Sequence, residues 1–285
     1  MTARIATAVV LALLAATPVT PAATPSLPPL QQKMEQAWSS YVTATEQRIR
    51  TELTSGPAAF LGLDFDRTRA EHRQELLRGQ TVIRELPQAK LNGKDIDVPD
   101  AMVHHWRGAV LIRGLKVEDV VRRLETEAPR ADGQDILASS ILERRGNTLR
   151  VALKVQRIRF IRVVYNTEHA VMFERHGSGR ASSQSSAVKI AELAQPGTPS
   201  EAEVAAGQDR GFLWRWHSYW RYEQVPEGVI AECESVSLSR PVPWGFGFMV
   251  DRLIDSTARQ SMERALTAVR AQLGASANDR KGTHD

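Results

Sequence analysis

A long alternating segment, residues 211–240, constrains the fold of this chain more than any other feature. Large aromatic residues recur at every second position of its first half, with one serine among them, and charged or polar residues lie between them. A period of two is typical of a β-strand, because successive side chains of a strand point to opposite faces of the sheet. A turn at residues 226–228 leads into a second alternating run, so the sequence predicts a β-hairpin. One face of its first strand carries Phe212, Trp214, Trp216, Trp220 and Tyr222.

The turn also predicts which residues lie opposite one another. If Val225 pairs with Gly228, every other pair follows by counting outward from the turn. Large aromatic residues then face small ones, which suits either a well-packed wall or one side of an apolar pocket, while the other face carries charged pairs. A slip by one residue would exchange the two faces, so the sequence leaves open which face points inward. The predicted pairs are Tyr222 with Ala231, Trp220 with Cys233, Trp216 with Ser237, Arg221 with Glu232 and Tyr219 with Glu234.

The N-terminus has the layout of a secretory signal peptide. Arg4 precedes an apolar run at residues 5–16, and small residues and prolines follow up to a predicted cleavage site after Ala22 or Ala23. The run is shorter than the roughly 20 residues that a membrane-spanning helix needs. The sequence therefore predicts a periplasmic or secreted protein that is not an integral membrane protein after cleavage.

Composition excludes several classes of protein. Cys233 is the only cysteine, so an internal disulfide cannot stabilise the chain and a hydrophobic core must do so. The net charge of +4 is too small, and the basic residues are too interspersed with acidic ones, to indicate a nucleic-acid partner. The adjacent His104 and His105 point to opposite faces of a predicted strand, so no metal site is predicted, and no cofactor is expected.

Periodicity predicts the remaining elements. Residues 30–53 form an amphipathic helix and residues 66–78 a charged one, whereas strands dominate from residue 101 onward. Among these strands, residues 160–165 and 169–175 are predicted to be two short separate ones. The segment 178–186 is rich in Ser and Gly and is predicted to be an exposed loop. The longest helix is predicted at residues 248–273.

This order of elements predicts an α+β fold, in which a curved antiparallel sheet of about six to seven strands packs on one long C-terminal helix. A single helix leaves the ends of such a sheet open, and this layout often encloses a cavity between helix and sheet. The predicted parts are a signal peptide (residues 1–23), an N-terminal helical extension (24–100), the sheet-and-helix domain (101–274) and a disordered tail (275–285).

Four segments resemble the helix-grip superfamily, also called START-like or SRPBCC. They are the strand and turn at 108–114, the short helix containing Val117 and Leu124, the hairpin at 136–155 and the terminal helix. The segment 213–222 is similar to a stretch of uncharacterised secreted bacterial members. The resemblance spans about residues 101–273 and implies an apolar ligand between sheet and helix. Some members are enzymes, so the fold alone does not choose the function.

The main hypothesis is non-enzymatic binding or transport of a hydrophobic small molecule or lipid. The aromatic hairpin would supply one wall of the cavity and the C-terminal helix would supply the opposite wall, with few polar groups to orient the ligand. The predicted ligand-binding residues are Trp106, Trp214, Trp216, Trp220, Tyr222, Val250, Leu253, Ile254 and Met262.

Two alternatives stay open at this stage, and the chain is not assigned as an enzyme. If the charged face of the hairpin lined the cavity, Glu234 and His217 would be candidates for acid and base catalysis in a cyclase-like or hydrolase-like reaction. If the core were filled instead, the helix at residues 30–53 would expose Trp38 and Tyr41 to an envelope protein partner.

Overall fold

The structure, a computed structural model, describes residues 27–158, 162–241 and 259–274. The predicted signal peptide and tail lie outside these ranges, as does the start of the predicted C-terminal helix. The helices are α1 (Gln32–Leu53), α2 (Arg69–Leu77), α3 (Val117–Thr126) and α4 (residues 259–274). The strands are β1 (Val82–Glu85), β2 (Lys90–Leu91), β3 (Lys94–Asp95), β4 (Met102–Arg113), β5 (Ile136–Arg145), β6 (Thr148–Ile158), β7 (Arg162–Arg175), β8 (Arg180–Ala194), β9 (Ala202–Glu203), β10 (Arg215–Val225) and β11 (Gly228–Ser239).

The described residues form one nine-stranded antiparallel sheet and a small separate hairpin of β2 and β3. The strand order in the sheet is β1-β4-β11-β10-β8-β7-β6-β5, with β9 paired to β8. The first and last long strands of the predicted domain, β4 and β11, are therefore neighbours, and α3 and α4 pack on one face of the sheet. This arrangement is the α+β, helix-grip layout that the sequence predicts, an antiparallel sheet packed on a C-terminal helix, with more strands than expected.

The predicted hairpin register is confirmed at every pair. Val225 pairs with Gly228, and the alternation is unbroken from this turn to the pair of Arg215 and Leu238. The aromatic face packs with α3 and α4 in a cluster that includes Tyr222, whereas Tyr219 on the opposite face packs with α1. The aromatic face thus points inward.

A glycine lets α4 approach the sheet closely. A Cβ atom added at Gly108, on β4, would lie 2.7 Å from Leu266 Cδ1 and 2.9 Å from Met262 Cγ. Atoms at such distances overlap, so any larger residue would push α4 away from the sheet.

The N-terminal segment covers the outer face of the sheet. On α1, Trp38 and Tyr41 are 3% and 0% exposed, so the expectation that this helix exposes them is wrong, while an envelope protein partner stays a prediction. Strand β1 pairs with β4, which makes residues before 101 part of the sheet itself. The division at residue 101 stays a prediction. In the described part of the chain, no helix has both the length and the apolarity needed to cross a membrane.

The Ser-rich segment is not a loop, contrary to the prediction. Its residues 180–186 form the first part of β8, which pairs with β7 on one side and β10 on the other. Small side chains fit here because they lie beside large aromatic ones: Ser183 is opposite Trp220 and Ala181 is opposite Tyr222. Similarly, β7 continues through Asn166, where the sequence predicted a break, because that residue pairs with strands on both sides.

Candidate ligand-binding cavity

A cavity of about 330 Å³ lies between the inner face of the sheet and helices α3 and α4. Its volume falls at the lower end of the range of about 300–1,000 Å³ that is common for small-molecule sites. Aliphatic side chains from β6 form one side, aromatic side chains from β10 form another, and apolar side chains of α4 close it. These groups are Leu149, Val151, Leu153 and Val155 on β6, Trp216, Trp220 and Tyr222 on β10, and Met262 and Val269 on α4.

Most of the predicted ligand-binding residues in the described ranges meet at this cavity. The residues that line it are Trp106, Trp216, Trp220, Tyr222 and Met262. The other predicted residues of the C-terminal helix, Val250, Leu253 and Ile254, lie outside the described residues.

Trp214 lies elsewhere, although the sequence pattern placed it on the aromatic face. It precedes β10, where the regular alternation has not yet begun. Its indole Nε1 donates to Asp209 Oδ1 at 3.2 Å, and its ring packs with the α1 cluster. The guanidinium carbon of Arg240 lies 6.0 Å from the ring centroid. Phe212, two residues earlier, does line the cavity.

Small side chains on the neighbouring strands flank the aromatic rings and leave space beside them. Trp220 is flanked by Ser183 on β8 and by Cys233 on β11. Trp216 lies opposite Ser237, and its indole Nε1 donates to Ser235 Oγ at 3.2 Å. The pairing of large with small residues was visible in the sequence for β11. The contribution of β8 was missed because its serines suggested a loop.

One end of the cavity is polar. His169, on β7, presents its ring edge-on to Trp216 with 5.0 Å between centroids, and its Nε2 lies 3.0 Å from Thr167 Oγ1. Burial lowers the pKa of His169 to about 4, and the positive charge of Arg157 adds to this effect. His169 is therefore neutral at pH 7 and offers a hydrogen-bonding group without charge.

Arg157, on β6, lies at the same end. Its guanidinium carbon is 5.1 Å from the centroid of the Trp216 ring, a distance at which a cation is attracted to the ring face. Asp135 Oδ2 lies 3.9 Å from Arg157 Nη1, and the other oxygen of Asp135 lies 3.0 Å from Arg264 Nε. The two arginines therefore share this carboxylate.

The candidate acid/base residue Glu234 lies on the outer face of the sheet, beneath α1. Its carboxylate contacts Arg48 of α1, accepts a hydrogen bond from Arg107 Nη2 at 3.0 Å and lies 2.8 Å from His105 Nε2. Burial raises the pKa of Glu234, but the His105 hydrogen bond and the charges of Arg107 and Arg48 outweigh it and hold the pKa well below its usual range. Glu234 is thus a fixed carboxylate in an ion-pair network.

The second candidate, His217, lies on the same outer face. Its ring packs against Trp38 of α1 at 5.7 Å between centroids, and its Nδ1 lies 3.1 Å from Ser186 Oγ. Burial lowers its pKa to about 4, and the charge of Arg215 adds to the shift. The enzyme hypothesis required this face to line the cavity, and the structure places it on the opposite side.

The ion-pair network extends from Glu234 to the segments before α2. Glu232 Oε1 and Oε2 accept hydrogen bonds from the backbone N–H groups of Gly62 and Leu63 at 2.6 and 2.8 Å. Arg221 Nη2 donates to Glu52 Oε2 at 2.5 Å. These contacts bind the N-terminal extension to the sheet by charge as well as by apolar packing. Among the described residues, no group of three or more His, Cys, Asp or Glu side chains is arranged to hold a metal ion.

Several solved structures are similar to this one in fold. A STAR-related lipid transfer protein from Xanthomonas axonopodis is 15% identical with a TM-score of 0.38, and the match covers 67% of this chain and 98% of the other. Human STARD10 is 8% identical with a TM-score of 0.43, covering 77% and 83%. The Zhui aromatase/cyclase from Streptomyces sp. R1128 is 12% identical with a TM-score of 0.37, covering 60% and 94%. No protein-family model and no curated protein matches the chain.

Proposed function

We propose that this protein binds a hydrophobic small molecule or a lipid in the cavity between the sheet and α4, and that it carries or sequesters the molecule without covalent chemistry. The observation that carries the proposal is the cavity itself, about 330 Å³ in volume and lined mainly by aromatic and aliphatic side chains. Transfer of apolar surface from water into such a site contributes about 2.5 kcal/mol for every 100 Å² buried.

The arrangement of polar groups supports binding more than catalysis. The acid/base candidates lie under α1 and are held in ion pairs or aromatic contacts, away from the cavity. Cys233 lines the cavity, but burial raises the pKa of its thiol, and the charges of Glu234 and Glu232 add to the effect. The thiol therefore stays protonated and is a poor nucleophile. With the predicted signal peptide, binding would take place in the periplasm or outside the cell.

A neutral fluorophore tests the proposal. N-phenyl-1-naphthylamine, which is apolar and uncharged, should bind to the purified protein with a saturable rise in fluorescence. Ala268→Trp, which extends a ring from α4 into the cavity, should abolish the rise because it fills the space. Thr267→Trp places the same ring at the adjacent exposed position and should leave the titration unchanged. Equal binding by both folded variants, or no saturable binding by the parent protein, would overturn the proposal.

A further inference from the structure

We propose that the cavity selects amphiphiles that carry a single negative charge, with Arg157 binding the anionic headgroup at the polar end; this inference rests on the proposed function and specifies its ligand class.

Arg157 is placed to contact a ligand. It follows Val155 on β6 at the spacing that points side chains into the cavity, and it forms part of the cavity lining. Its side chain remains 24% exposed although its strand lies inside the sheet. The guanidinium group lies over the face of Trp216, at the boundary between the aromatic wall and the polar end. A headgroup that reaches Arg157 would thus leave its apolar chain against the aromatic residues.

The charge of Arg157 is only partly balanced. The distance of 3.9 Å between Arg157 Nη1 and Asp135 Oδ2 exceeds that of a hydrogen bond. Asp135 also contacts Arg264, so one carboxylate serves two guanidinium groups. Burial lowers the pKa of Arg157, and the charge of Asp135 does not fully offset this effect. An anion bound at Arg157 would complete the charge balance and use the planar, two-donor edge of its guanidinium group.

The surroundings favour one negative charge over two. Glu127, Asp132 and Asp135 also line the cavity and outnumber Arg130, the second arginine of the lining, so they would repel a dianion. His169 adds a neutral hydrogen-bonding group beside Trp216 and no second positive charge. A carboxylate and a phosphodiester share the required chemistry, since each presents two oxygens and one negative charge.

The test compares headgroups on one chain. Isothermal titration calorimetry at pH 7.5 measures the binding of decanoate, methyl decyl phosphate and decan-1-ol to the full protein. At least one anion should bind about tenfold or more tightly than the alcohol, since hydrogen bonds to a charged group are the stronger ones. The ratio of the two anions distinguishes a carboxylate ligand from a phosphodiester lipid. If both anions bind no better than decan-1-ol, the headgroup proposal is overturned, whereas the proposed binding of hydrophobic molecules still stands.

Two variants test whether Arg157 causes the preference for an anion over the alcohol. Arg157→Gln should reduce the affinity for the preferred anion to that of the alcohol and leave the alcohol affinity unchanged. Arg150→Gln removes an arginine from the opposite face of the same strand, where it pairs with Glu168, and should change neither affinity. An unchanged anion preference in folded Arg157→Gln would overturn the assignment. Failure of all three ligands to bind would instead count against the proposed function, and the comparison in the parent protein holds even if a variant does not fold.

Discussion

Trp220 lies directly opposite Cys233 across the β10–β11 hairpin, and both side chains line the cavity. On its other side, Trp220 is paired with Ser183 of β8. The indole ring therefore stands between two small residues and stacks on Tyr222 at 6.2 Å between ring centroids. Because its neighbours on both adjacent strands are small, space remains beside the ring. This space belongs to the cavity that α4 covers.

Replacing Trp216 with alanine should weaken the binding of N-phenyl-1-naphthylamine by about tenfold or more, because the indole ring supplies a large part of the aromatic wall. Trp214→Ala is the matched control, since Trp214 packs with the α1 cluster outside the cavity. That variant should lose stability and keep its affinity. Fluorescence titration measures the affinity of each variant. Equal losses of affinity in the two variants would contradict the placement of Trp216, but not Trp214, in the cavity wall.

Removing the charge of Glu234 should destabilise the protein by about 3–5 kcal/mol, because the buried Arg107 would lose its hydrogen-bonded carboxylate and keep only the more distant Asp66, at 3.6 Å. Urea unfolding of Glu234→Gln at pH 7.5 measures this loss. Glu143→Gln removes a carboxylate from an exposed ion pair with Arg145 and should change stability by less than about 1 kcal/mol. Similar stabilities for the two variants would show that the network under α1 is not held by charge. Folded Glu234→Gln should retain ligand affinity.

Gly108→Ala should destabilise the protein by about 1–3 kcal/mol, which is typical of added volume in a packed interior. The new Cβ would approach Leu266 and Met262 within 3 Å, so α4 must shift away from β4. Gly274→Ala is the control, because a Cβ there meets no atom within 4 Å. Thermal unfolding distinguishes the two variants. A Gly108→Ala protein as stable as the parent would contradict the close contact between sheet and helix.

Acid should destabilise the fold through His169. Its pKa is about 4 in the folded protein and about 6.5 when unfolded, so the unfolded chain takes up the proton first as the pH falls. The resulting loss of stability begins near pH 6.5 and is complete below pH 4. Between pH 7.5 and pH 5.0, His169 alone accounts for about 2 kcal/mol.

Urea unfolding of His169→Gln at both pH values measures this contribution. The variant should lose about 2 kcal/mol less than the parent on acidification, and His217 accounts for part of the remaining dependence because its pKa is also lowered. Identical pH dependence in His169→Gln and the parent would contradict the lowered pKa.

The register of the hairpin could be predicted because its information is local. Alternation and the turn at Gly228 fix the register of β10 and β11 without reference to any other segment. The direction in which this hairpin faces depends on contacts between distant residues. Arg48 meets Glu234 and Arg221 meets Glu52 only after α1 has packed on the sheet, and no local pattern shows such pairing.

The cavity was only partly predictable for the same reason. The sequence pointed to Trp216 and Trp220, whose neighbours on β11 are small. It missed the Ser-rich first part of β8, because serines at these positions suit a loop in isolation and become strand residues when β7 and β10 pair on both sides. It also placed Trp214 on the aromatic face, since alternation alone does not show where a strand begins.

Native mass spectrometry of the protein, purified under mild conditions from the cells that naturally produce it, tests the central claim most directly. The released molecule is then extracted and identified by its fragmentation. We expect a stoichiometric hydrophobic ligand that is absent from the Ala268→Trp variant prepared in the same way. A ligand-free mass for the natural protein, together with no saturable uptake of N-phenyl-1-naphthylamine, would contradict a ligand-binding role for the cavity.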